Sequence, residues 1–229
     1  MKLLIATKNK HKLAEIRSIF SFPGIELSDL DYFPNAPDVI EDGETFDANA
    51  RKKAVELAKL IGLWTLADDS GLEVDALGGA PGVHSARYAG EPASYPANNR
   101  KLLDALRNVS NRQARFRCVI ALSDPKGNCR TVEGRCEGRI IDEEKGAGGF
   151  GYDPLFIPDG FPMTFSEMPQ DKKNEISHRA RALKKAYEEW AHIFRLNQGD
   201  EKKDEPTSLQ AATKVERMKF EGHEEKDEE

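Results

Sequence analysis

Read from its first residue, the chain alternates short apolar runs with amphipathic stretches. Leu3-Leu4-Ile5-Ala6 is a continuous apolar run, the pattern of a strand buried on both faces. A polar turn, Thr7-Lys8-Asn9, follows. Leu13, Ile16 and Phe20 then recur at helical spacing, which predicts a helix from Lys10 to Phe20, closed by Pro23-Gly24. Phe46, Ala50, Ala54, Leu57, Ala58 and Ile61 share one face of a second helix over 45–60, with Thr45 as N-cap and Gly62 as its stop. Trp64-Thr65-Leu66-Ala67 reads as a strand that ends at Asp68-Asp69-Ser70-Gly71. Leu102, Leu103 and Leu106 mark a third helix. The β-rich run from Phe116 to Leu122 meets a strong turn signal, Asp124-Pro125-Lys126-Gly127, with a partner strand starting near Asn128. Ala180, Leu183, Tyr187, Trp190 and Phe194 stripe a long last helix that starts near Ser177. Strand, loop and helix in alternation predict an α/β fold.

After Leu196 the apolar pattern decays. Eleven acidic and six basic residues fall between Asp200 and Glu229, out of 40 and 34 in all 229 residues, so most of the net charge of -6 belongs to this end. The expected organisation is one domain over 1–196 and an acidic, disordered tail over 197–229. The body, close to neutral, lacks the basic excess of a nucleic-acid binder. Three cysteines, Cys118, Cys129 and Cys136, suit reduced thiols rather than a disulfide framework. The apolar N-terminus is too short for a signal peptide or a membrane span, so a cytoplasmic protein with no membrane partner is expected.

The sequence holds no Walker-type loop, metalloprotease histidine pair or nucleophile elbow. Four polar clusters sit instead at the ends of predicted core elements. Thr7, Asn9 and Lys12 occupy a strand-to-helix turn, where free backbone N–H groups favour anions; the same residues also serve as ordinary caps. Glu41, within Ile40-Glu41-Asp42-Gly43-Glu44, stands ahead of the second helix; acids there suit the helix dipole or a Mg²⁺ ion. Asp68 and Asp69 are adjacent acids in an apolar setting, costly unless a cation or hydrogen bonds compensate. Finally, Gly149-Phe150-Gly151-Tyr152-Asp153-Pro154 places an aromatic between glycines, suited to stacking on a base. Lys173, His178 and Arg179 supply donors for phosphate or purine oxygens.

These motifs, in this order, resemble the inosine triphosphate pyrophosphatase family, the non-canonical purine NTP pyrophosphatases or XTP/dITP diphosphatases. The resemblance rests on Ala6–Lys12, Thr45–Ala50, Ala67–Leu72, Leu77–Tyr88, Gly149–Pro154 and Ile176–Arg179, and covers about residues 1–195. It implies a long twisted mixed sheet flanked by helices, two lobes with the cleft between them, and a homodimer. The activity it implies is hydrolysis of ITP, dITP and XTP to the monophosphate and pyrophosphate, with Mg²⁺ as cofactor and water attacking the α-phosphorus. Carried over by position, Thr7, Lys8, Asn9, Lys10, His11 and Lys12 form the phosphate-binding turn. Glu41 and Asp69 hold Mg²⁺, and Asp69 is the candidate general base; Asp69, or Asp68 beside it, orients or deprotonates the water. Ser70, Phe150, Gly151, Tyr152, Asp153, Lys173, His178 and Arg179 surround the substrate. Two rival readings are a pyrophosphatase for modified pyrimidine or methylated nucleotides on a related fold, and a nucleotide-binding protein without turnover.

Overall fold

In the computed structural model, residues 1–200 are described, the side chains of 196–200 excepted; the expectation of a disordered acidic tail falls almost wholly outside them. The larger compact unit is Lys2–Ala191, to which all that follows refers; Met1 and the residues from His192 form the other. Six strands form one sheet in the order β2-β1-β3-β4-β5-β6. They are β1 (Lys2–Ile5), β2 (Glu26–Asp29), β3 (Trp64–Val74), β4 (Gln113–Ser123), β5 (Cys129–Ile140) and β6 (Phe156–Pro158). β1 runs parallel to β2 and β3; every pairing from β3 to β6 is antiparallel. The helices are α1 (Lys10–Ile19), α2 (Phe46–Ile61), α3 (Tyr95–Ala105), α4 (Gln170–Ile176) and α5 (His178–Asp200). The chain is thus a mixed α/β protein, as its pattern predicts.

Local chemistry sets most boundaries. Asn9 caps α1 by accepting from the amides of His11 and Lys12, Thr45 caps α2 by accepting from Ala48, and Gly62 closes α2 in the left-handed region at φ 77°. The antiparallel β4–β5 pair turns at Asp124–Asn128, where the Asp124 carboxylate accepts from three donors: the Lys126 and Asn128 amides and the Asn128 side chain.

Three elements depart from the expectation. β3 does not end at Asp68-Asp69; it runs through them to Val74, so the acids are the fifth and sixth of eleven strand residues. Their cost is met by partners from three helices, which a reading of the strand alone does not include. β2, four residues with the pattern Glu-Leu-Ser-Asp, carries too little apolar signal to be recognised and forms because it pairs with β1. The last helix is preceded by the short α4, and Ser177 breaks the two, its hydroxyl accepting from the Ala180 amide at 3.2 Å.

The sheet is covered on both faces where β3 begins and β4 ends, Leu66, Ile120 and Leu122 being as buried as Ala67, Val119 and Ala121, and mainly on one face at the other end. Ala67 in β3 and Val119 and Ala121 in β4 pack with Phe46, Ala50, Ala54 and Leu57 of α2. Leu72 and Val74, with Ala114 and Phe116, have the other strand parity and pack with Leu102, Tyr152, Phe156 and Phe165. β3 is therefore buried on both faces as far as Asp68 and Asp69, and beyond them mainly on the face of Leu72 and Val74.

Candidate active site

Because strand neighbours point to opposite faces, Asp68 and Asp69 have different surroundings. Asp68 is buried; it meets Lys12 Nζ at 3.0 Å, Arg179 Nη2 at 3.2 Å and the Ser70 hydroxyl at 3.2 Å. Burial alone would raise its pKa, but Lys12, Arg179 and Lys53 outweigh it and hold the carboxyl far below its usual range. Asp69 faces α2. Its Oδ2 accepts from Asn49 Nδ2 at 3.0 Å and its Oδ1 from the Ser70 amide at 2.9 Å. Burial raises its pKa to about 6; Lys12 opposes the rise and the nearby Glu41 charge adds to it. One acid is thus permanently ionised and spent on ion pairs, and the other is held near a neutral-pH transition.

Asp69 lines a cleft with Glu41, Asn9, Lys12, Ser70, the Val83–Arg87 turn, Tyr95, Phe150–Asp153, Lys173, His178 and Arg179. The cleft therefore unites residues from all four sequence clusters. Not every residue of the β1–α1 turn reaches it. Thr7 is buried and its hydroxyl accepts from the Asn9 amide at 3.2 Å. Lys8 pairs with Asp38, and Lys10 with Asp31 at 3.9 Å, both on the surface. His11 stacks on Phe150.

At the aromatic end of the cleft, Gly149 and Gly151 sit at φ 70° and 64°, so the chain can present Phe150 on a tight turn. The Phe150 amide donates to Asp153 Oδ2 at 2.8 Å, and a Cβ at position 149 would collide with that carboxylate. Tyr152 donates its hydroxyl to the Ser85 carbonyl at 2.9 Å, tying this loop to the Val83–Arg87 turn. Lys173 Nζ lies 5.0 Å from the Phe150 ring centre and the Arg179 guanidinium 5.9 Å. Lys173 and Arg179 are not free charges: Lys173 reaches Glu15 at 2.8 Å and Asp153 at 2.6 Å, and Arg179 pairs with Glu15 and Asp68 and donates to Ser70 Oγ at 2.9 Å. His178 is buried, stacks on Phe116 at 4.7 Å, and is held neutral by burial and by the charges of Arg179, Lys173 and Lys12. Its Nδ1 and the Nε of Arg179 are buried without a partner.

Sequence reasoning missed four residues of this arrangement. Glu15, one helical turn after Lys12, joins Lys173 to Arg179. Asn49 donates to Asp69 and accepts from the Gly43 amide at 2.8 Å, linking the strand acid to the loop that carries Glu41. Lys53, one turn beyond Asn49, pairs with Glu41. Tyr95 stands 6.1 Å from Phe150 and receives a 3.4 Å hydrogen bond from Asn9. The available signal was the polar pair Asn49 and Lys53 at a four-residue spacing on a helix whose inner face is otherwise apolar.

Among the described residues no group of three or more acids, histidines or cysteines surrounds a metal position. Glu41 and Asp69 nevertheless suit a divalent cation held partly by substrate phosphates: two acids whose mutual repulsion raises one of them are relieved by a cation between them. All three cysteines are free, Cys118 and Cys136 buried and Cys129 half-buried. No helix of the described residues is long and apolar enough to cross a membrane.

Comparison with known proteins gives a consistent result. The family model described as the Ham1 family matches residues 3–189. A dITP/XTP pyrophosphatase of Desulforamulus reducens is 54% identical over 190 residues, covering 82% of this chain and 94% of the relative. That of Geobacter sulfurreducens is 52% identical over 184 residues, with 80% and 92% covered. Among solved structures, a HAM1 protein from Coxiella burnetii superposes with a TM-score of 0.78 at 39% identity, over 84% of this chain and 99% of that one. A nucleoside-triphosphatase, dITP/XTP pyrophosphatase, from Mycobacterium abscessus gives 0.68 at 43% identity, over 81% and 98%.

Proposed function

From the premise that this chain belongs to the Ham1 family, we propose that its cleft hydrolyses non-canonical purine nucleoside triphosphates, dITP, XTP and ITP, to the monophosphate and pyrophosphate. The chain is a nucleoside-triphosphate pyrophosphatase, as its relatives' names say of them. The observation that carries the mechanism is one cleft that brings Asp69, buried and oriented by Asn49, together with Glu41 and Lys12 and has the aromatic Phe150 at its other end.

Phosphoryl transfer asks for positioning and charge stabilisation more than for covalent chemistry. Glu41 and Asp69 are the residues that would hold Mg²⁺, which when bound supplies positive charge to the phosphates. Asp69, its Oδ2 fixed by Asn49 and its Oδ1 by the Ser70 amide, accepts a hydrogen bond from the attacking water and orients it toward the α-phosphorus. Lys12 and Lys53, each already beside a carboxylate, turn to the triphosphate oxygens and the leaving pyrophosphate. Phe150 stacks on the purine. Lys173 and Arg179, 5.0 and 5.9 Å from its ring, belong to the base end rather than the phosphate end. The unpartnered Arg179 N–H there suits a 6-oxo purine, and a 6-amino group leaves it unsatisfied, a mismatch that discriminates by roughly 10⁴-fold or more in sites built to hydrogen-bond their substrate. A homodimer in the cytoplasm completes this reading.

Incubation with Mg²⁺ and ITP, XTP, dITP, GTP, ATP or dUTP, with products resolved by chromatography, tests it. Monophosphate and pyrophosphate from the first three, with little from ATP because of its 6-amino group and little from GTP because of its 2-amino group, is the expected result. Diphosphate plus phosphate would overturn attack at the α-phosphorus, and preferential cleavage of dUTP would overturn the purine site.

A further inference from the structure

Phe150 lines two cavities. One is the cleft, where it stands with Lys173, His178 and Arg179; the other is an outer hollow bounded by His11, Glu15, Ser18, Gly149 and Gln170. His11 does not line the cleft. Its imidazole lies against the Phe150 ring, centre to centre 5.0 Å and within 13° of parallel. That spacing is a closed offset stack, with no room for a third ring between the two. Phe150 itself sits on a turn whose two flanking glycines are both in the left-handed region, and its backbone is tied to Asp153 twice, the Phe150 amide donating to the carboxylate and the Phe150 carbonyl accepting from the Asp153 amide at 3.3 Å. These bonds do not touch the ring, whose neighbours are His11, Tyr95 at 6.1 Å and the cations Lys173 and Arg179 at 5.0 and 5.9 Å; of these four, His11 lines the outer hollow and the other three line the cleft.

We propose that His11 is a positioning residue for the base platform: it backs Phe150 from the outer hollow so that the opposite ring face stays presented to the purine. This rests on Phe150 being the base-stacking residue. His11 does not touch substrate; its action is to keep the platform populated in the productive orientation, so that binding does not first have to order the ring. The same α1 turn thus serves two purposes. Its capping residue Asn9 and Lys12 face the cleft, and His11 between them faces outward to hold the aromatic loop against the helix start.

The test separates base binding from phosphate binding. Affinity for IMP and for pyrophosphate is measured by calorimetry on the full chain and on His11→Ala, His11→Tyr and Phe150→Ala, alongside steady-state kinetics with ITP. Alanine is a good helix former, so α1 tolerates the change. Loss of one aromatic stack predicts IMP affinity lower by roughly two- to tenfold in His11→Ala. KM for ITP should rise by a similar factor, with kcat within about twofold and pyrophosphate affinity unchanged. His11→Tyr should restore IMP affinity, which a merely structural defect would not allow. A fall in pyrophosphate affinity with IMP unaffected overturns the proposal and makes His11 a phosphate contact. IMP binding unchanged in His11→Ala but weakened in Phe150→Ala overturns the proposal alone. IMP binding unchanged in Phe150→Ala removes the base platform, and the proposal with it.

Discussion

On the outer face of the β3–β4–β5 ribbon, Arg115 reaches Asp75 at 2.6 Å and Glu137 at 3.0 Å, and Arg117 reaches Glu73 at 2.7 Å and Glu133 at 3.0 Å. In the cleft, Lys12, Lys173 and Arg179 meet Glu15, Asp68 and Asp153 at comparable distances. The residue types and geometry are alike; the solvent is not. Glu137 on the ribbon is half exposed, whereas Lys173, Arg179, Glu15, Asp68 and Asp153 keep at most 7% of their side-chain surface. Water can replace a lost partner on the ribbon. In the cleft it cannot, so Lys173, Arg179, Glu15, Asp68 and Asp153 are mutually obligate, whereas Lys12, 16% exposed, can turn from Asp68 to a ligand. Asp69 stands apart from both: buried, raised, and satisfied by neutral donors rather than by a paired cation. The cleft thus keeps its structural charges locked and leaves one acid unspent.

The sharpest way to break this contrast is to neutralise the two neighbouring acids separately. Asp69→Asn should lower turnover by roughly 10²–10⁴-fold, the range for a lost acid–base group, with the unfolding midpoint at pH 8 unchanged or higher. The sign follows from its pKa. A carboxyl raised to about 6 from 3.8 in the unfolded chain favours the folded state below pH 3.8, and that advantage is gone above about 6. At pH 8 the folded protein therefore gains from losing the charge. Asp68→Asn should do the opposite to stability. Its pKa is depressed, so its contribution is present above its unfolded pKa, and removing it strands Lys12 and Arg179 at a cost of about 3–5 kcal/mol. If urea melts rank the two variants the other way, the division of labour is wrong.

Glu15→Ala removes the acid shared by Lys173 and Arg179 and should also cost about 3–5 kcal/mol in urea unfolding. A smaller effect belongs to the cation. Calorimetric titration of the nucleotide-free protein with Mg²⁺ at pH 5.5, in buffers of different ionisation enthalpy, should show proton release from Asp69, and at pH 8 almost none. Equal release at both pH values would place the proton elsewhere. The smallest effect should be on the ribbon: Arg115→Ala should change stability by about 0–1 kcal/mol and leave ITP turnover untouched, as for an exposed ion pair.

The elements that repeat an apolar period were legible. α1, α2, β4 and the start of β5 appear within a few residues of where the hydrophobic pattern and capping residues put them, because periodicity and caps are local properties. β2 was invisible, since four residues with one strongly apolar side chain form a strand only when β1 offers an edge. Of the site, the motif residues were visible through their resemblance to a family. Glu15, Lys53 and the contact that Asn49 makes from within its motif were not, because an acid, an amide and a lysine on amphipathic helices look alike whether they face water or a buried partner.

What the chain determined by itself was the α/β alternation, the helix ends, the glycine-framed aromatic and the clustering of polar residues beside core segments; these follow from spacing and backbone preference within a few residues. Which acid is locked and which is poised was decided only in three dimensions. Asp68 and Asp69 are identical side chains one residue apart, and strand alternation turns them to opposite faces. Lys12 and Arg179, 56 and 111 positions away in the sequence numbering, pair with the first, while Asn49 and the charge of Glu41 surround the second. A pKa is set by the field of groups brought together by folding, and that field has no counterpart in local sequence.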